Sequence, residues 1–145
     1  MNYRDNNYPF RQDSTFLYLF GLDYEGLAAV IDVDNDKTII FGDELTIDDI
    51  IWTGVQPTIA QKAAEVGVTE TRPMAELEKY IAQALGQKQS VHFVPSYRGY
   101  NLLWMQHLLG VKVGSTPGDP FTVSTPVAMP SLQLCYELAD MRNHK

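Results

Sequence analysis

A single cysteine, Cys135, leaves this chain of 145 residues without an internal disulfide or a multi-cysteine metal site. The lone thiol suits a reducing compartment, so a cytoplasmic location is expected. Histidine is almost as scarce. His92, His107 and His144 are too far apart in sequence to form a helical ligand pair. Basic residues are outnumbered: 11 Lys and Arg stand against 18 Asp and Glu, for a net charge of −7 and a pI near 4.8. That balance argues against nucleic acid and against an anionic membrane surface, both of which select a basic footprint. No apolar run approaches the roughly 20 residues that span a bilayer. The first residues, Met1 to Asn7, lack the apolar centre of a signal peptide. Internal repeats and low-complexity tracts are missing too. So are phosphate loops, because Gly114-Ser115-Thr116-Pro117-Gly118 has neither the lysine nor a following helix. Ser14, Ser96 and Cys135 lack the surroundings of a nucleophile elbow or a cysteine hydrolase.

What is present belongs to one globular domain. The chain is 45% hydrophobic and 20% charged, a composition that can build a core. Charge and aromatics are both unevenly spread. From Gly21 to Asp49 nine acids face one base, Lys37, while the rest of the chain is nearly balanced. Seven of the sixteen aromatics lie in the first 24 residues, so that segment is expected to pack into the fold. The acidic stretch is read as solvent-facing, since surface carboxylates are screened within about 8 Å at physiological salt.

Patterning predicts the elements. Thr15 to Phe20 reads as a buried strand stopped by Gly21, and Leu27 to Val33 and Thr38 to Phe41 as an antiparallel hairpin about a polar turn. Thr58 to Val66 has helical spacing with Gly67 as a stop, and Pro73 opens a stronger helix with Met74, Leu77, Tyr80, Ile81, Ala84 and Leu85 on one face. Val91 to Val94 is a strand, Gly99 to Leu109 a helix, Val111 to Val113 a short strand, and Pro130 starts a last helix. Four prolines between Ser115 and Pro130 mark a surface connection. The order implies an α/β fold: a mixed β-sheet with flanking helices, its later strands pairing in parallel by crossovers.

The residues alone offer little chemistry. Asp32-x-Asp34-x-Asp36 begins a calcium-loop pattern and then fails, with Lys37 where a glycine is needed and Asp43 where a bidentate glutamate is needed. It reads as a solvated hairpin turn. His92, facing solvent or a helix, and His107 read as structural. An independent small enzyme built on Asp13, His92 or the Asp32-Asp34-Asp36 turn is the weakest of three functional readings.

One segment is more specific. Tyr8-Pro9-Phe10-Arg11-Gln12-Asp13-Ser14-Thr15-Phe16-Leu17-Tyr18-Leu19-Phe20-Gly21 resembles the signature of the N-terminal domain of Xaa-Pro aminopeptidases and prolidases. A hairpin and then a Trp-x-Gly follow in that family, matched here by Leu27 to Phe41 and by Trp52-Thr53-Gly54; Arg142 to Lys145 resembles its Arg-x-x-Lys linker start. The resemblance implies a creatinase/prolidase-type N-terminal domain, ribonuclease H-like in layout, over residues 1–142, without the family's first helix and strand, with 143–145 opening a linker. It implies a non-catalytic role in a metal-dependent hydrolase, shaping the active-site entrance and the assembly of a homo-oligomer such as a dimer. The substrate would be a peptide with proline at its second position. Two divalent metals, manganese by family habit, would sit in a C-terminal pita-bread catalytic domain that this chain lacks. No cofactor and no catalytic or metal residue is expected in the chain itself, which should be inactive alone.

The resemblance also assigns residues. Trp52 corresponds to a tryptophan that reaches the neighbouring subunit's site, with an ordinary helix or loop anchor as the alternative. Arg142 is the domain-junction arginine, or else a solvated helix end. Arg11, Gln12, Asp13, Ser14, Phe16 and Gly21 form a structural signature. The competing reading of the whole chain is a stand-alone binding or oligomerisation module.

Overall fold

The computed structural model describes residues 10–94, 99–109 and 128–130. The chain divides into two compact units, Met1–Leu77 and Glu78–Lys145.

The first described element departs from expectation. Ser14–Phe20 is a helix, α1, and not a strand. The Asp13 side chain caps it, accepting from the Thr15 and Phe16 N–H groups at 2.9 and 3.2 Å. Gly21 ends it in the left-handed region at φ 68, where a side chain would be strained. An unbroken apolar run has no period by which to tell strand from helix, so the two caps decide. Phe16 and Phe20, one turn apart, then pack with ring centroids 5.0 Å apart and planes tilted by 41°.

The hairpin forms as expected from β1 (Ala28–Asp32) and β2 (Lys37–Phe41), paired antiparallel with Val30 opposite Ile39. Its turn is held by Asp32, whose carboxylate accepts from the Asn35 backbone N–H and side-chain amide. Two helices follow, α2 (Ile47–Thr53) and α3 (Ile59–Glu65), then a three-residue strand, β3 (Glu70–Arg72). Neither α2 nor β3 was expected. The signal for α2 was the capping box Thr46-x-x-Asp49, whose two residues satisfy each other's backbone N–H. β3 is too short and too polar to show a period. It pairs in parallel with β2, so the sheet order is β1-β2-β3 and is mixed.

Helix α4 (Ala75–Gly86) opens two residues past Pro73 and buries Leu77 and Ile81. In the second unit β4 (Val91–Phe93) pairs in parallel with β5 (Ala128–Pro130), and α5 (Gly99–Leu109) lies between them in sequence. β5 corrects the expected proline-rich connection at its end: Pro130, read as the start of a helix, lies opposite Phe93. The predicted strand 111–113 and the rest of the last helix fall outside the described residues.

The core of the first unit is a cluster of Leu22, Ile40, Ile59 and Ala63, joined by Phe16, Phe20, Tyr24, Leu27, Ala29, Val66 and Val68. α1, the hairpin and α3 thus share one interior. Lys62 is buried too, and its ammonium lies 4.5 Å from the centre of the Tyr24 ring, a cation–π contact that offsets its lost hydration.

Candidate functional site

The signature residues assemble one corner of the first unit. Gln12 links two parts of the chain: its amide N–H donates to the Tyr24 carbonyl at 2.8 Å and its Oε1 accepts from the Asp13 N–H at 2.9 Å. Asp13 caps α1, Ser14 is its first residue, Phe16 packs on the core and Gly21 closes the helix. Arg11 precedes them on the exposed surface. The Gln12 and Asp13 side chains bond to backbone groups, and Phe16 packs against the core.

Two acids after β2, read as solvent-facing, are exposed and also bind distant backbone N–H groups. Asp43 Oδ1 accepts from the Met74 N–H at 3.0 Å, one residue before α4 begins. Glu44 Oε1 accepts from the Ile59 N–H at 2.9 Å, at the first residue of α3. Each carboxylate meets the unpaired donors and positive end of a helix. The acidic stretch therefore includes several backbone caps: Asp32 in the hairpin turn, Asp43, Glu44, and Asp49 in the α2 capping box.

Between these caps stands α2, and here the surface turns apolar. Trp52 is 87% exposed, Val55 87%, Ile47 79% and Ile51 72%. Among the described residues, α2 adds no side chain to the core cluster. Thr53 Oγ1 donates to the Asp49 carbonyl at 2.8 Å, and the Gly54 N–H donates to the Ile50 carbonyl at 2.9 Å, closing the helix right after Trp52. The helix carries its acids, Asp48 and Asp49, in its first turn. The Asp49 carboxyl lies below its ordinary range, first because of the Thr46 hydroxyl hydrogen bond and then because of the Thr46 N–H. A large indole in water is costly and suits a surface that something covers.

The remaining candidates disperse. Trp52 is on α2 and the signature on α1. Arg142, His144, Ser96 and Cys135 lie outside the described residues. His92 is exposed on β4, and His107 on α5 lies 3.6 Å from Glu78, both side chains well solvated. Among the described residues no group of three or more His, Cys, Asp or Glu is placed to hold a metal ion. A two-metal centre does not fit the residues described.

Residues 1–93 match the family model of the aminopeptidase P N-terminal domain. The chain belongs to that family. Curated relatives include a probable Xaa-Pro aminopeptidase of Uncinocarpus reesii, 31% identical over 87 residues, covering 59% of this chain and 18% of that protein. Another, from Fusarium vanettenii, is 27% identical over 82 residues, covering 57% of this chain and 18% of the relative. Among solved structures, aminopeptidase P from E. coli in its low-pH form matches 98% of this chain and 32% of its own, with a TM-score of 0.71 at 20% identity. Proline aminopeptidase P II from Yersinia pestis gives 0.69 over 98% and 32%, also at 20% identity. These structures share the fold, a mixed sheet with flanking helices. The chain spans about a fifth of the length of the curated relatives it matches and about a third of the solved ones.

Proposed function

We propose that this aminopeptidase P N-terminal domain is the non-catalytic, site-shaping part of a Xaa-Pro aminopeptidase, a hydrolase that removes a residue preceding proline. The observation that carries the reading is Trp52, 87% exposed on a helix whose apolar face is uncovered, at the Trp-x-Gly that the family resemblance singles out. An indole so placed can close over a proline ring and exclude water from a neighbouring active-site entrance. In this proposal the domain occupies residues 1–142, Arg142 stands at the junction with a C-terminal catalytic domain, and α2 meets a neighbouring subunit. Cleavage belongs to that catalytic domain, where two divalent metals, manganese by family habit, would activate water. The residues described here bind, orient and exclude solvent. A cytoplasmic setting is part of the proposal, resting on the single cysteine.

The coding sequence beyond Lys145 tests this directly. A continuation carrying two aspartates, one histidine and two glutamates as a ligand set is expected. A stop codon there would favour the competing reading, a stand-alone binding or oligomerisation module, which the uncovered face of α2 also suits. The second test is an assay of the pure chain on an Xaa-Pro peptide with manganese. No turnover is expected, and measurable hydrolysis would overturn the non-catalytic assignment.

A further inference from the structure

We infer that Glu44 is a positioning residue: its carboxylate closes the neck of the α2 excursion and so sets where Trp52 stands. The functional weight of this assignment rests on the entrance role proposed above; the clasp itself does not.

A helix of seven residues does not hold itself in water, where isolated helices need on the order of 12–15 residues to be even marginal. Among the described residues, α2 draws no support from the core cluster. Its order has to come from its own caps and from the two places where the excursion leaves and rejoins the body. At departure the Gly42 N–H donates to the Arg72 carbonyl at 3.1 Å and Asp43 holds the Met74 N–H at 3.0 Å. On return Thr58 and Gln61 satisfy each other in a capping box, and the Ile59 side chain is buried in the core. Glu44 joins the two ends. Its Oε1 receives the Ile59 N–H at 2.9 Å across a sequence separation of fifteen, in a partly buried bond. The segment Leu45 to Thr58 is therefore a compact surface loop with tied ends, within the range of about 6–16 residues typical of such loops. Tying the ends at an anchored residue lowers the number of orientations open to α2, and Trp52 inherits that restriction.

The test uses the 145-residue chain. Trp104→Phe leaves Trp52 as its remaining tryptophan, so fluorescence anisotropy and acrylamide quenching report Trp52 alone. In that background Glu44→Ala is expected to lower the anisotropy and raise quenching. In the otherwise native chain it is expected to speed amide exchange over residues 45–58 about tenfold, the scale of losing one cap, while the β1–β2 amides keep their protection. Glu44→Gln, whose amide oxygen can still accept from Ile59, is expected to restore both signals. Unchanged Trp52 anisotropy and unchanged exchange over 45–58 in Glu44→Ala would overturn the assignment. So would faster exchange spread evenly through β1, β2 and β3, which would mark a general loss of stability. The entrance role fails separately: if Trp52→Ala left Xaa-Pro turnover of the whole enzyme unchanged, that role would be lost while the exchange pattern of the Glu44 variants stood.

Discussion

Helices α1 and α2 are the same length, seven residues each, and both are capped by a side chain from the preceding residue. They differ in what their apolar residues do. α1 turns Phe16 and Phe20 onto the core cluster around Leu22, while α2 holds Ile47, Ile51 and Trp52 out to solvent. Capping chemistry therefore makes a helix in both places, and packing decides which one is part of the body. The hydrophobic effect rewards α1 for staying folded with the sheet. It leaves α2 with apolar surface that the core cluster does not cover.

The sharpest way to break this comparison is in the core beneath α1. Leu22 is 2% exposed, so Leu22→Ala should destabilise the first unit by about 2–5 kcal/mol, read by chemical denaturation. A loss below about 0.5 kcal/mol, the usual size of a surface change, would show that α1 is not tied to the core as described. Gly42 lies where the body and the α2 excursion part. A Cβ there would come within 2.9 Å of a Leu27 methyl and 3.0 Å of an Ile59 methyl, so Gly42→Ala should cost about 1–2 kcal/mol through a repacked core. The caps give the next contrast. Asp13→Ala should lower global stability by about 1 kcal/mol, because α1 unfolds only with the core. Thr46→Ala should instead speed amide exchange in α2 and leave the denaturation midpoint nearly unmoved. Equal global losses from the two would erase the distinction.

The smallest effects are on the surface of α2. Trp52→Ser should change stability by no more than about 0.5 kcal/mol, since a residue this exposed supports nothing beneath it. Asp49 adds a pH test. Its folded carboxyl titrates below the ordinary 3.8, held down first by the Thr46 hydroxyl and then by the Thr46 N–H. Its contribution is therefore fully present above 3.8 and is lost as pH falls from there through the lower, folded value. The Thr46 amide resonance should follow that titration, and Asp49→Asn should remove it. A Thr46 amide titrating above 3.8 would reverse the sign.

Much of the fold was legible because its signals are local. The hairpin showed in β-branched runs around a polar turn, and α3 to α5 showed in helical spacing with Gly or Pro at their ends. Parallel pairing after β2 followed from helices between strands. Thr15 to Phe20 misled because Phe16 to Phe20 is an unbroken run of aromatic and aliphatic residues, so the informative residues were those at its borders, Asp13 and Gly21. β3 and β5 went unseen because strands of three residues, one polar and one containing proline, carry no period of their own. Trp52 was singled out by resemblance, and nothing in its local sequence told whether it would be inside or outside.

Residue types at short, fixed offsets along the chain are enough to set the caps, the turn and the family: Asp13 before α1, Thr46 with Asp49, Gly21 after Phe20. Which apolar residues are core, and which acids cap distant helices, is set by long-range folding. Asp43 and Glu44 belong to an exposed acidic run, and their capping role arises when Met74 and Ile59, 31 and 15 residues away, bring their N–H groups to them. Burial has the same origin. It depends on which surfaces meet when distant segments fold back, so large apolar side chains pack against the core from α1 and face solvent from α2.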